Sequence, residues 1–176
     1  NGVTPLFRAA QDGHHQLVEA LLRHSATDPN CAMVDGSTPL FIAAQRGHPQ
    51  VVRALLQHSA IEPNRRGGGD ASALFQAAKN GHHTIVQLLL EHYATDASQL
   101  AHGARSPLHG AVFSDQRAIV RLLVGAAPAT LEARDAYGDT PLLLASACGK
   151  TEAALALLDA GADAAVRACV GRRVGL

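Results

Sequence analysis

The sequence predicts an all-α solenoid of five stacked helix-turn-helix units that are joined by hairpin loops. Three observations favour this fold: a repeat of constant length, a helix-forming pattern within each unit, and an apolar composition with few aromatic residues. A Thr or Ser followed two positions later by Leu begins the units at positions 4, 38, 72, 106 and 140, which lie 34 residues apart. A register held over five units indicates an internal repeat, and such repeats stack because one unit cannot bury its apolar face alone.

The first part of each unit has the residues that begin an α-helix. In the first unit Thr4 is a favourable N-cap, and Pro5 suits the first helical position, where its missing N–H costs nothing. Leu6, Ala9 and Ala10 then lie on one side of the helix and form an apolar stripe. Because the two alanines are small, neighbouring helices can approach each other closely.

A second helix follows after a glycine. Gly13 can adopt a positive φ and end the first helix, and Val18, Leu21 and Leu22 form the apolar face of the second. The roughly dozen residues that lead to the next unit are rich in Asp, Pro, Asn and Gly and suit a projecting hairpin. In the fourth unit Asp115 replaces the glycine, so the sequence predicts an irregular turn there. The third hairpin holds three successive glycines and is predicted to be irregular as well.

The composition argues against several classes of protein. Hydrophobic residues make up 47% of the chain and aromatic residues 3%, which favours closely packed helices over a large β-sandwich. Lys and Arg together number 15, as do Asp and Glu, so the formal net charge is zero and no nucleic-acid partner is expected. No run of about 18 apolar residues is present, so no membrane span is expected.

The cysteines indicate the cellular compartment. Cys31, Cys148 and Cys169 are odd in number, far apart and in no Cys-x-x-Cys spacing, so a disulfide framework is not predicted. Reduced thiols predict an intracellular location, cytoplasmic or nuclear. The first residues have neither the charged region nor the apolar stretch of a signal peptide.

Neither the histidines nor the cysteines predict a metal or catalytic site. His24, His58 and His92 recur at the repeat interval, and side chains about 10 Å apart cannot converge on a zinc ion that needs Zn–N distances of about 2 Å. Cys148 ends the first helix of the fifth unit, whereas His109 begins that of the fourth. Their side chains are therefore expected to lie too far apart to form a nucleophile–base pair. The histidines of the turn between the two helices are expected to hydrogen-bond to backbone instead: His14, His48 and His82. We therefore predict no catalytic residue, no cofactor and no metal, and do not expect an enzyme.

The combined motif identifies a family. Thr-Pro-Leu-Phe-x-Ala-Ala-x-x-Gly-His-x-x-x-Val-x-x-Leu-Leu, which spans residues 4–22, resembles the ankyrin repeat. The 34-residue period is also that of tetratricopeptide repeats, but the Thr-Pro-Leu start, the Gly-His turn and the long connection fit the ankyrin pattern. The resemblance implies a single array over residues 1–176. Its repeats are predicted at about 1–32, 33–66, 67–100, 101–134 and 135–168. Residues 169–176 resemble the degenerate start of a further repeat, so we expect the array to be cut from a longer one.

The resemblance implies a protein–protein interaction scaffold that binds a protein or peptide through its hairpin tips and concave inner-helix face. The alternative is a spacer that orients a catalytic domain elsewhere in a longer chain. We expect a monomeric segment whose partner is neither nucleic acid nor membrane. The positions that match the family's contact sites lie at the ends of the first helices and in the hairpins: Gln11, Asp12, Asp35, Ser37, Gln45, Arg46, Lys79, Asn80, Arg105, Phe113, Tyr137 and Asp139.

The resemblance further implies a possible modification. Asn30 and Asn64 occupy the loop position that an asparaginyl hydroxylase modifies in some ankyrin repeats, and each has a Leu eight residues earlier, at Leu22 and Leu56. The alternative is a purely structural role, because asparagine often satisfies backbone groups in turns.

Overall fold

The computed structural model describes residues 2–168, which form ten α-helices arranged as five successive pairs. The helices are α1 Pro5–Gln11, α2 His15–Leu22, α3 Pro39–Arg46, α4 Pro49–Leu56, α5 Ala73–Lys79, α6 His83–Glu91, α7 Pro107–Ser114, α8 Arg117–Ala126, α9 Pro141–Ala147 and α10 Thr151–Asp159. Within the described residues no helix has the length and apolar character that a membrane crossing requires.

The helix pairs stack in chain order and form two layers. The first helix of each pair packs against the first helix of the next, from α1 through α3, α5 and α7 to α9, and the second helices from α2 to α10 pack in the same way. This arrangement confirms the predicted all-α solenoid. The exact repeat boundaries stay a prediction, and the predicted start of a further repeat at 169–176 lies outside the described residues.

Each first helix begins at a capped residue, as its sequence indicates. The N-cap oxygen accepts a hydrogen bond from the backbone N–H three residues later, at donor–acceptor distances between 3.1 and 3.4 Å. An N-cap of this kind contributes about 1 kcal/mol to helix stability. The five caps are Thr4, Thr38, Ser72, Ser106 and Thr140.

The core runs between the two layers along the whole stack. The leucines predicted to be equivalent are between 1% and 7% exposed, and their burial is confirmed: Leu6, Leu40, Leu74, Leu108 and Leu142. The alanines that follow them, such as Ala43 and Ala44, are fully buried. Small side chains at this contact let the first helices lie side by side, so each unit stabilises its neighbours.

Both places predicted to be irregular contain a non-glycine residue with positive φ, Asp70 at 55° in the third hairpin and Asp115 in the fourth inter-helix turn, although each turn still closes. Asp115 adopts the left-handed backbone conformation, with φ 52° and ψ 32°, in the slot where the other units have a glycine with positive φ. Asp tolerates this region better than most residues, and its carboxylate accepts a hydrogen bond from the Ala153 N–H of α10 at 2.9 Å. The third hairpin closes through a Gly67–Ala71 bridge, and the fourth closes identically through Ala101–Arg105.

Candidate interaction surface

The Gly-His turn between the two helices of a unit joins neighbouring units. The Nε2 atom of His48 lies 3.0 Å from the carbonyl oxygen of Gln11, and that of His82 lies 3.2 Å from the carbonyl oxygen of Gln45. Because a carbonyl can only accept, each imidazole donates through Nε2 to the end of the preceding unit's first helix. The predicted backbone role of these two histidines is confirmed.

The glycine of each turn makes room for the next histidine. A Cβ atom on Gly13 would lie 2.7 Å from Nδ1 of His48, and one on Gly47 would lie 2.6 Å from Cε1 of His82. Both glycines also have positive φ, at 77° and 81°. The Gly-His pair therefore has a structural function across two units.

These contacts bring the ends of the first helices into one row. Gln11, Gln45, Lys79 and Phe113 occupy the same position at the ends of α1, α3, α5 and α7, and successive helices of this layer are in contact. Lys79 is exposed, whereas the other three are half-buried. The next positions along the chain are exposed as well: Asp12, Arg46 and Asn80. The predicted helix-end residues thus share one edge of the stack.

The second hairpin uses one of its candidate residues internally. Ser37 is 5% exposed; its N–H and hydroxyl donate to the carboxylate of Asp35, and its hydroxyl oxygen accepts from the Gly68 N–H at 3.3 Å. Ser37 thereby connects the second hairpin to the third. The groups at this tip that face solvent are Asp35 and the side chain of Val34, which is 90% exposed.

An arginine that contacts two aromatic rings lies where the fourth and fifth units meet. The guanidinium carbon of Arg105 lies 5.7 Å from the ring centroid of Phe113 and 5.6 Å from that of Tyr137, within cation–π range. Its Nε donates to Oδ2 of Asp135 at 3.1 Å. We call Arg105, Phe113, Asp135 and Tyr137 the arginine cluster. It brings together three of the residues predicted from sequence, contributed by α7 and the last two hairpins.

The carboxylate of Asp135 is the anchor of this cluster. Its side chain has no solvent exposure, and its Oδ1 accepts from the backbone N–H groups of Tyr137 at 2.9 Å and Asp139 at 3.1 Å. Burial alone would raise the pKa of Asp135, but the hydrogen bond from Arg105 and those from the two N–H groups together lower it below its ordinary value. Asp135 is therefore an anion that fixes Arg105. Its role was not predicted, although an Asp at a hairpin base opposite an Arg is a readable signal.

His109 completes the contact between the fourth unit and the last hairpin. It is fully buried, its Nδ1 lies 2.9 Å from Oγ of Ser106, and its Nε2 lies 3.2 Å from the carbonyl oxygen of Asp139. Burial lowers the pKa of His109 below its ordinary value, so the neutral imidazole is favoured and donates through Nε2. Asp139, a predicted contact residue, thus uses its backbone N–H and carbonyl groups within the fold.

The two loop asparagines form bridges between units. The Nδ2 of Asn30 donates to the carbonyl oxygen of Ala60 at 2.6 Å, and its Oδ1 accepts from the Glu62 N–H at 2.9 Å. Asn64 bonds to the carbonyl of Ala94 and the N–H of Asp96 in the same way, at 2.6 and 2.8 Å. Both side chains thus have the expected structural role of bonding to backbone groups, but in the loop of the next unit rather than in their own turn.

The remaining histidine and cysteine side chains do not come together in a metal-binding cluster within the described residues. Within residues 2–168 no group of three or more His, Cys, Asp or Glu side chains could hold a metal ion. Cys31 is half-buried and Cys148 is exposed, both as free thiols, and Cys169 lies outside the described residues. His24 and His58 each accept from a loop N–H two residues later.

Comparison with known families gives one result for almost the entire chain. A model of three ankyrin-repeat copies matches residues 1–67 and 74–168, and a model of many copies matches residues 46–90. No curated protein matches the chain.

Proposed function

Because this chain belongs to the ankyrin-repeat family, whose repeats are generally protein–protein interaction modules, we propose that it binds a protein or peptide partner. The contact surface consists of the hairpin tips and the face formed by the ends of the first helices. The observation that carries this proposal is the arginine cluster, in which Tyr137 is 72% exposed beside a fixed arginine. Exposed Tyr and Arg side chains are enriched among the residues that dominate binding energy.

The charges of this surface favour a protein partner over nucleic acid. The exposed residues along the row of helix ends carry both signs of charge, because Asp12 is negative and Arg46 and Lys79 are positive. The two glutamines of the row are half-buried and uncharged. A nucleic-acid surface would need several unpaired cations aligned to contact phosphates. A mixed row with aromatic residues at one end is typical of protein interfaces.

We further propose that the chain is not catalytic, as is typical of the family. Four of the side chains with the chemistry for proton transfer are committed to the fold: His48 and His82 bond to helix ends, His109 is buried, and Asp135 anchors an arginine. The free thiols of Cys31 and Cys148 support an intracellular setting for the interaction.

Affinity capture with matched variants tests the proposal. The immobilised chain and a double variant, Arg46→Ala with Tyr137→Ala, are incubated with the same cell extract, and the retained proteins are compared by quantitative mass spectrometry. The control is Arg53→Ala with Tyr93→Ala, which removes an exposed arginine from α4 and a tyrosine that is 94% exposed in the loop after α6.

We expect some proteins to be retained by both the original chain and the control. The same proteins should not be retained by the Arg46/Tyr137 variant. Equal retention by all three would contradict the proposed surface. A chain that retains no protein at all would favour the alternative, a spacer that orients another domain.

A further inference from the structure

The arginine cluster has a polar edge that the described part of the protein does not use. Within residues 2–168 only the Nε of Arg105 has a hydrogen-bond acceptor, and the arginine side chain is 28% exposed. A guanidinium has five N–H donors in one plane, so four remain on the two terminal nitrogens. We infer that these nitrogens bind a carboxylate of an acidic peptide segment, an inference that rests on the proposed function.

The cluster holds the arginine in position before any ligand arrives. Asp135 fixes Nε, and the rings of Phe113 and Tyr137 lie within 5.7 Å of the guanidinium carbon. Aromatic faces attract the cation and repel an anion, so an anionic ligand approaches the outer edge of the guanidinium. The fork of terminal nitrogens at that edge matches the two oxygens of a carboxylate. Binding then costs little side-chain entropy, because the arginine is already ordered.

The local charges leave the arginine able to attract an anion. The Asp135 carboxylate is fully buried and accepts three hydrogen bonds, so it presents no oxygen to a ligand. Arg134, whose guanidinium donates to the carbonyl of Gly138 at 2.7 Å, balances Asp139 at the same hairpin. Lys79, one unit back in the row of helix ends, adds an exposed positive charge.

The two rings indicate which source of carboxylate fits best. Phe113 stands at the end of α7 and Tyr137 at the tip of the last hairpin, so two rings from different elements lie within 5.7 Å of the guanidinium carbon. A segment that continues in both directions from an Asp or Glu side chain has chain on both sides of the carboxylate with which to contact both rings. A C-terminal carboxylate has chain on one side only. The occupant is therefore an internal acidic residue flanked by apolar residues in an extended peptide.

Synthetic peptide pools test this inference on the full chain. Each pool of fluorescent hexapeptides has one fixed central residue, Asp, Glu, Asn or Gln, mixed residues elsewhere, and both ends blocked. A fifth pool has a central Gln and a free C-terminal carboxylate. Binding is measured by fluorescence anisotropy with the original chain, with Arg105→Lys, and with the control Arg66→Lys, whose arginine pairs with Asp70 at 2.6 Å in the third hairpin.

The inference expects the Asp and Glu pools to bind about tenfold more tightly than their amide counterparts, the ratio that charge-assisted hydrogen bonds provide. Arg105→Lys should reduce this ratio below about threefold, because lysine lacks the planar fork, whereas Arg66→Lys should leave it unchanged. Equal binding of acidic and amide pools would overturn the inference and leave the proposed function standing. Preference for the free-ended pool alone would also overturn it, and binding of no pool would count against both.

A second variant keeps the test valid if Arg105→Lys does not fold. Tyr137→Ala removes an exposed ring and leaves the Arg105–Asp135 pair intact. It should weaken binding of the Asp and Glu pools about threefold, in line with loss of a cation–π contact. Unchanged binding by this variant would contradict the role assigned to the cluster.

Discussion

The first three units and the last two are joined to their neighbours by different chemistry. Among the first three, imidazole and amide side chains bond to backbone groups of the adjacent unit, through His48 and His82 at the turns and Asn30 and Asn64 in the loops. The loop position held by Asn30 and Asn64 is occupied by Glu132 in the fourth unit, and the Glu132 carboxylate accepts a hydrogen bond from the Asp163 N–H. The same backbone spacing thus accommodates two kinds of junction.

Carboxylates and arginines dominate the junction between the fourth and fifth units. Arg105 pairs with Asp135 between the hairpins, and the Asp115 carboxylate accepts from the backbone at the start of α10. Further ion pairs join the second helices, between Arg117 and both Glu152 and Asp159 and between Arg121 and Asp159. These outer pairs are largely exposed and contribute little, whereas the buried Asp135 carboxylate depends on its partner.

The residue that directly follows the repeat leucine also differs between the first three units and the fourth. Phe41 and Phe75 pack with small residues at the bases of the third and fourth hairpins, and a Cβ on Gly67 would lie 2.7 Å from the Phe41 ring. In the fourth unit His109 takes this position and donates to the carbonyl of Asp139. The junction that carries the candidate binding cluster is therefore also the one that depends on polar contacts. A partner that binds at the cluster, as proposed, should accordingly stabilise the attachment of the fifth unit.

The largest effect is expected from truncating a core leucine in the middle of the stack. Leu74→Ala removes a side chain that is 1% exposed and should lower the free energy of unfolding by about 2–5 kcal/mol. Because the third unit has neighbours on both sides, loss of structure should spread to α3, α4, α7 and α8. Urea denaturation followed by circular dichroism measures the change. Leu142→Ala is the comparison, and its loss of structure should stay closer to the last unit; an equal spread would break the nearest-neighbour description.

A smaller effect is expected from removing the arginine of the cluster. Arg105→Ala leaves the buried Asp135 carboxylate without its side-chain partner, although two backbone N–H groups remain. The free energy of unfolding should fall by about 1–3 kcal/mol, the usual cost of an incompletely satisfied buried group. The loss should be recovered in part by Asp135→Asn in the same chain, since the amide carries no charge. A double variant less stable than the single one would contradict the anchoring role of Asp135.

Removing a loop bridge should cost somewhat less and act on the other half of the stack. Asn64→Ala deletes the hydrogen bonds to Ala94 and Asp96 and should cost about 1–2 kcal/mol. This loss should be the same in low and high salt, because no ion pair is broken. Thermal unfolding at two salt concentrations measures it. Ser98→Ala, at the equivalent position where the side chain bonds only within its own loop, is the matched control and should cost less.

The smallest effect concerns modification of the same asparagines. Hydroxylation of Asn30 and Asn64 is proposed from the family resemblance, and a hydroxyl on Cβ would leave the amide bonds to the next loop in place. Mass spectrometry of the protein from well-oxygenated native cells should find a gain of one oxygen at either residue. Unmodified peptides covering both positions would leave these asparagines with the structural role alone.

Sequence reasoning predicts the elements that repeat and misses those that occur once. The caps at Thr4 and Thr38, the buried leucines and the Gly-His turns recur in register, so each position is supported by several copies. The burial of Ser37 and the positive φ of Asp115 depend on contacts with the next unit, which periodicity within one unit does not contain.

The candidate surface was predicted in part for the same reason. Arg105, Phe113 and Tyr137 were identified separately as contact positions, but their convergence requires the hairpin and helix end of different units to meet. Asp135 and His109 were missed as partners because their roles arise from burial, which changes their pKa values and hydrogen bonds. The repeat pattern does not signal that burial; for Asp135 the one readable signal is an Asp at the base of one hairpin opposite an Arg at the base of the preceding one.

The contrast between the two regions is tested most directly by amide hydrogen exchange at pH 7 and pH 5.5, expressed as protection factors. The pKa of His109 is lowered in the fold, so the unfolded chain binds more protons below about pH 6.5 and stability falls as pH decreases. The pKa of Asp135 is lowered in the fold, so its stabilising contribution is complete above its ordinary pKa of 3.8 and is lost only as pH falls through and below that value, which lies outside this window. Acidification should therefore reduce protection in α7–α10 more than in α3–α6, and His109→Phe should remove the difference. An equal loss along the stack, or a loss that begins in α3–α6, would contradict the account.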